Sequence, residues 1–169
     1  LKKAHKNEPN SVTHLTDLAN LFREDNKIGD SIHTLKKAIN LAPRDTNLLN
    51  NLGTAFRQDG KIEDAKATYE KALVIDSEIA EVWANLGAIA MDALDWDSAI
   101  NYFEKALEIK PRLAGADNNL GISFQELGRL AEAESRFRKA ISIKPDFAEA
   151  HSNLGSTLQK VGRLTEAEA

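Results

Sequence analysis

The chain has 169 residues, 28% charged and 42% hydrophobic, with a formal net charge of −4 at pH 7. It contains no cysteine, which excludes disulfides and thiolate metal sites. No apolar run approaches the ~18 residues of a membrane span, no secretory signal is visible, and the acidic excess over residues 46–113 argues against a general polyanion binder.

Four glycines, Gly53, Gly87, Gly121 and Gly155, recur every 34 residues, each preceded by Asn-Leu. A fixed period of this length describes a stack of like repeats. The chain opens on residues 1–11, where Leu1, Ala4 and Pro9 stand in register with the end of a preceding second helix. In residues 12–45, Ala19 replaces the glycine and Asn26 takes the helix-breaking position, which asparagine tolerates in a left-handed conformation. Residues 46–79 are the clearest copy. Leu49, Leu52, Gly53 and Phe56 recur at i, i+3, i+4 and i+7, the apolar stripe of one helix. Gly60 ends it, and Ile62, Ala65, Tyr69, Ala72 and Leu73 form a second stripe that closes near Asp76 and Ser77.

Residues 80–113 repeat the pattern with Trp83, Gly87, Ala99, Phe103, Ala106 and Pro111. Leu94 stands in the turn position there, which predicts a rebuilt turn before Trp96. Residues 114–147 place Asp117 in the slot of Trp83, an acid in the first turn of a helix, and looser packing is expected near Gly115 and Asp117. Residues 148–169 stop inside a second helix and are expected to leave Leu154 and Leu158 uncovered. Each repeat is thus two helices of about 13 residues, too small to bury its own stripes, and must stack on its neighbours. The only methionine is Met91, so the chain reads as a piece of something longer.

The pattern Trp83-x-x-Leu86-Gly87, Ala99-x-x-x-Phe103-x-x-Ala106 and Pro111, with matching sets elsewhere, resembles the tetratricopeptide repeat family. That resemblance implies an all-α fold, a right-handed superhelical solenoid of stacked antiparallel helix pairs, as a single array over residues 1–169. Residues 12–45, 46–79, 80–113 and 114–147 would be full repeats. Residues 1–11 would be the end of an earlier repeat, and 148–169 a truncated one.

The stripe opposite the core on the first helices is polar. It reads Asn47, Asn50, Asn51, Thr54, Arg57 and Gln58 in the second repeat, and Gly115, Asn118, Asn119, Ile122, Gln125 and Glu126 in the fourth; Asn20 belongs to it in the first. The resemblance implies that first helices line a concave wall, with Asn51, Asn85, Asn119 and Asn153 as a column along it. Carboxamides offer donors and an acceptor that match a peptide backbone. Helices about 8–10 Å apart and a strand rise of about 3.3 Å would bring one asparagine to every third ligand residue. At ~0.5–1.5 kcal/mol per hydrogen bond, such binding is micromolar or weaker and tolerant of sequence. The column is similar to the asparagine ladder of O-linked N-acetylglucosamine transferase-like proteins. The alternative is that these amides bond across to the next helix or face solvent.

A clamp for acidic C-terminal tails, known in this family, needs cations on the inner wall. Thr16, Asn20, Asn50, Ala84 and Ala88 occupy those places, so a clamp of that kind is rejected.

Chemistry is sparse elsewhere. His5, His14, His33 and His151 lack metal-ligand spacing, and no triad, phosphate loop or nucleophile elbow is present. No cofactor is expected and no enzyme. Asp95-Trp96-Asp97 reads as a helix cap, and Arg136, Arg138 and Lys139 as a solvated outer face.

The expected function is a protein–protein interaction scaffold for an extended peptide or partner protein, without nucleic acid or membrane. A second reading is the recruiting segment of a larger modifying enzyme, glycosyltransferase-like by resemblance. A third, RNA binding, follows from the related pentatricopeptide repeats and is opposed by the acidic middle. The cut ends also suggest head-to-tail self-association through residues 1–11 and 163–169. The compartment is not legible, with a weak preference for the cytoplasm.

Overall fold

A computed structural model of the protein describes residues 11–162. The start of the last second helix, the opening helix tail and the head-to-tail contact expected between them lie outside the described residues.

Regular structure among the described residues is all helical. The chain divides into two compact units at Ser77 and Glu78. In the first, α1 (Val12–Glu24) pairs with α2 (Ile28–Leu41), α3 (Thr46–Gln58) with α4 (Ile62–Ile75), and α2 packs on α3. In the second, α5 (Ala80–Asp92) pairs with α6 (Trp96–Ile109) and α7 (Ala114–Glu126) with α8 (Leu130–Ile143). There α9 (Ala148–Lys160) packs on α8, α6 on α7, and the first helices α5, α7 and α9 touch in sequence. Within each unit this is the stacked-pair, all-α architecture.

Local chemistry starts and stops the helices. Ser11, Asp45 and Asp95 cap α1, α3 and α6 by accepting hydrogen bonds from backbone N–H groups of the first turn. Each first helix ends in a left-handed residue: Asn26 (φ +59°), Gly60 (+75°), Leu94 (+59°), Gly128 (+73°) and Gly162 (+78°). The turn at Leu94 is therefore not rebuilt. Asp95 N–H donates to Ala90 C=O at 2.9 Å, as Lys61 N–H does to Phe56 C=O and Arg129 N–H to Phe124 C=O. Docking of each second helix on its first dictates the turn, and leucine is forced into the conformation glycine takes elsewhere.

In the pairs α3/α4, α5/α6 and α7/α8 the core is a missing Cβ filled by a ring. A Cβ at Gly87 would stand 2.8 Å from Phe103 Cε1, and one at Gly121 2.6 Å from Phe137 Cε1; Gly53 meets the ring of Tyr69 in the same way. Tyr69, Phe103 and Phe137 are each 0% exposed. The first pair holds Ala19 and Leu35 in these slots, both buried, so a methyl group coexists with a smaller partner.

Two packing expectations are corrected. The region of Asp117 is not loose: Ala116, Asp117, Asn118 and Leu120 are all buried. Leu158 is also buried, and Leu154 packs half-buried on the core cluster of α5 to α8. The docking of α9 on α8 supplies that cover.

Candidate functional site

The polar stripe of the first helices presents carboxamides in graded burial. In the first unit Asn20, Asn50, Asn51 and Arg57 are half-buried and Asn47 is exposed. Thr54, beside Asn51, is held by two contacts: its hydroxyl donates to Asn50 C=O at 3.0 Å and lies 3.1 Å from the Tyr69 hydroxyl. Burial pushes the Tyr69 phenol up from its ordinary value, so it stays neutral and serves as a hydrogen-bonding post.

In the second unit Asn85, Asn119 and Asn153 are half-buried, while Asn118 is only 1% exposed. Asn118 was expected on the open stripe; it lies instead between α7 and α9. The Asn153 amide donates to Asn118 Oδ1 at 3.1 Å, and Asn118 Nδ2 donates to Glu149 Oε1 at 3.2 Å and to Asn119 Oδ1 at 3.4 Å. Gln125 Nε2 donates to Ser156 Oγ at 3.4 Å, again from α7 to α9. Asn119 and Asn153 are thus oriented by a buried neighbour, Asn118. Among the described residues, Asn119 Nδ2 and Asn153 Oδ1 make no hydrogen bond.

The other polar cluster was missed as a cluster. Asp117, 0% exposed, receives Arg136 Nη1 and Lys139 Nζ, each at 3.3 Å. Arg136 and Lys139 are therefore not a simple solvated face; Arg138 pairs with Glu134 on its own helix. Burial raises the Asp117 carboxyl above its ordinary value, while Lys139 and Arg136 pull it down. The signal was present in the spacing: residues 136 and 139 share one face of α8, and the period puts residue 117 in a core slot. The cluster stabilises the pairing of α7 with α8 and borders a shallow groove lined by Glu104, Leu107 and Glu108 of α6. Two repeats earlier the corresponding groove between α2 and α4 has the apolar floor Leu49, Leu52 and Phe56.

Among the described residues no group of three or more His, Asp or Glu side chains is placed to hold a metal ion, and no helix is long and apolar enough to cross a membrane.

Comparison with known proteins agrees with this architecture. Family models described as tetratricopeptide repeat match residues 16–79, 78–146 and 137–169. The chain belongs to the tetratricopeptide repeat family, whose repeats are in general non-catalytic interaction modules. A crystal structure of the MamA protein superimposes with a TM-score of 0.76 at 26% identity, over 93% of this chain and 86% of that one. PilF of Pseudomonas aeruginosa gives a TM-score of 0.86 at 19% identity, over 93% of this chain and 72% of that one. YrrB, described as a tetratricopeptide repeat protein with an unusual peptide-binding site, gives 0.68 at 22% identity over 95% and 82%. The latter two likenesses are of fold. No curated protein matches the sequence.

Proposed function

We propose that the chain is a protein-interaction scaffold that holds an extended peptide against the carboxamides of its first helices. One observation carries this reading. Asn119 and Asn153 are half-buried and oriented through Asn118, yet keep a donor pair and an acceptor without a partner among the described residues. Oriented amides lose little freedom when a ligand arrives, which favours binding by backbone hydrogen bonds. Asn85 in the second unit and Asn51 in the first occupy the same repeat position. Asn20, Asn47, Asn50, Arg57 and Gln125 would flank the ligand. Asn118 serves as the positioning residue.

The test is titration of a library of extended synthetic peptides against the wild type and an Asn119→Ala/Asn153→Ala variant. Loss of two hydrogen bonds should weaken binding by roughly tenfold, at about 0.5–1.5 kcal/mol each. Equal affinities in the two proteins would remove the amides from the mechanism.

A further inference from the structure

The amide chain of the second unit has a gap. Between α7 and α9 it is bonded in a fixed register: Asn153 to Asn118 across 35 residues, and Asn118 to Glu149 and Gln125 to Ser156 across 31. The first helices α5 and α7 touch as α7 and α9 do. One period of 34 residues earlier, the same register sets Asn119 opposite Ala84, Ala84 opposite Gly115, and Met91 opposite Ile122. Asn119 thus stands where Asn153 stands, but Ala84 has no side-chain oxygen to accept from it. Its Nδ2 is left without a hydrogen bond among the described residues.

The gap is open rather than packed shut. Asn118 is 1% exposed, whereas the smaller Ala84 in the equivalent slot is only half-buried. A Cβ added at Gly115, where Glu149 stands one period later, would meet nothing within 4 Å. Beside the gap the wall is apolar. Ala84, Ala88 and Met91 share one face of α5 at i, i+4 and i+7, and Ile122 lies three residues beyond Asn119 on α7. All four are half-buried, and Ala84, Met91 and Ile122 pack on the one core cluster of α5 to α8. Between α7 and α9 the places of Met91 and Ile122 are taken by Gln125 and Ser156, which bond to each other. Glu81, one turn before Ala84, is held by Lys110 at 2.7 Å.

A donor without a partner beside an apolar wall matches an acceptor that carries an apolar neighbour. An extended peptide presents that pair within one residue's rise of about 3.3 Å. We infer that the peptide of the scaffold reading, on which this inference rests, sets a backbone carbonyl over Ala84 and an apolar side chain against Ala88, Met91 and Ile122. The carbonyl accepts from Asn119 Nδ2 and takes the place that Asn118 Oδ1 takes between α7 and α9. Met91 and Ile122 are then the specificity-determining residues of the stripe, which reads backbone through its amides and one apolar side chain here.

The experiment uses the full chain and extended synthetic peptides that differ at one position, carrying leucine, serine or lysine there, with that position moved along the peptide. At one position the wild type should prefer leucine roughly tenfold. Met91→Gln/Ile122→Ser, which installs the pair found between α7 and α9, should erase the preference and leave the affinity for the serine peptide unchanged. Met91→Gln alone, which keeps the side-chain length, should reduce it. Ala84→Asn should offer Asn119 an oxygen from within the chain, weaken every peptide roughly tenfold and leave the thermal midpoint no lower. A wild type without a leucine preference at any position would overturn the apolar subsite, as would a preference unchanged in Met91→Gln/Ile122→Ser. Binding by Ala84→Asn equal to wild type would overturn the carbonyl assignment. In each of these cases the scaffold reading survives if Asn119→Ala/Asn153→Ala still weakens binding. If that variant binds as the wild type does, or no peptide binds at all, both fall.

Discussion

The second and fourth repeats share one backbone plan and differ at its centre. In α3, Leu49 sits buried on an apolar floor, and α4 offers Thr68 and Lys71 above it. In α7 the same slot holds Asp117, and α8 offers Arg136 and Lys139. The glycine and ring beneath, Gly53 with Tyr69 and Gly121 with Phe137, pack alike in both. The lesson is that close approach of the paired helices is set by the missing Cβ. The slot above can change from hydrocarbon to carboxylate if the facing helix changes with it.

The largest expected effect follows from removing those cations. Arg136→Ala/Lys139→Ala leaves a buried carboxylate without compensation and should destabilise the chain by about 3 kcal/mol in urea denaturation. Adding Asp117→Leu, the arrangement of the second repeat, should restore most of that loss. If the double variant were as stable as wild type, the cluster would have no structural role.

Next is the ring contact that the two repeats share. Gly121→Ala should lose about 1–3 kcal/mol by forcing a methyl group into Phe137. A second change, Phe137→Leu, should recover part of it, as the coexistence of Ala19 and Leu35 implies. Gly115→Ala, where an added Cβ meets nothing within 4 Å, should be harmless in the same denaturation assay.

Smaller again is Leu94→Gly, which relieves the left-handed leucine. A gain of about 1 kcal/mol is expected, less a few tenths for the freer unfolded chain. A fall in thermal midpoint would show that Leu94 is held by contacts within the fold.

The smallest effect is in pH dependence. The folded chain raises the Asp117 carboxyl above 3.8, so it binds that proton more readily than the unfolded chain does. Between the unfolded and the raised folded value, this group's contribution to stability therefore grows as pH falls. Glu81 acts oppositely. Lys110 at 2.7 Å holds its carboxyl below the ordinary value, so its contribution is present above that value and is lost as pH falls through the lowered one. Urea titrations at several acidic pH values should show wild type gaining on Asp117→Asn as pH drops, and Glu81→Gln gaining on wild type.

Much of this was legible as period. Gly53, Gly87 and Gly121, the ring slots Tyr69, Phe103 and Phe137, and the alanines between them mark buried contacts that side-chain volume alone dictates. The cap at Asp95 and the left-handed Asn26 were readable too, because both depend on local backbone chemistry. Leu94 was misread because propensity spoke for a different turn, whereas docking of α6 on α5 overrode it. Asp117 was misread because a charge in a core slot looks like a defect until its partners on the next helix are seen. Asn118 went astray for a related reason: helical spacing puts it on the open stripe, but α9 closes over it.

The amino-acid sequence by itself determined the repeat length, the family and the small-against-large packing of each helix pair, since these follow from volumes recurring at a fixed period. Tertiary structure alone decided which polar side chains are satisfied and by whom. Hydrogen bonds and ion pairs depend on distances between helices that no single helix encodes. That is why Asn118 orients the amides of Asn119 and Asn153, Asp117 is an anchor, and Leu94 is an exposed leucine in a left-handed turn.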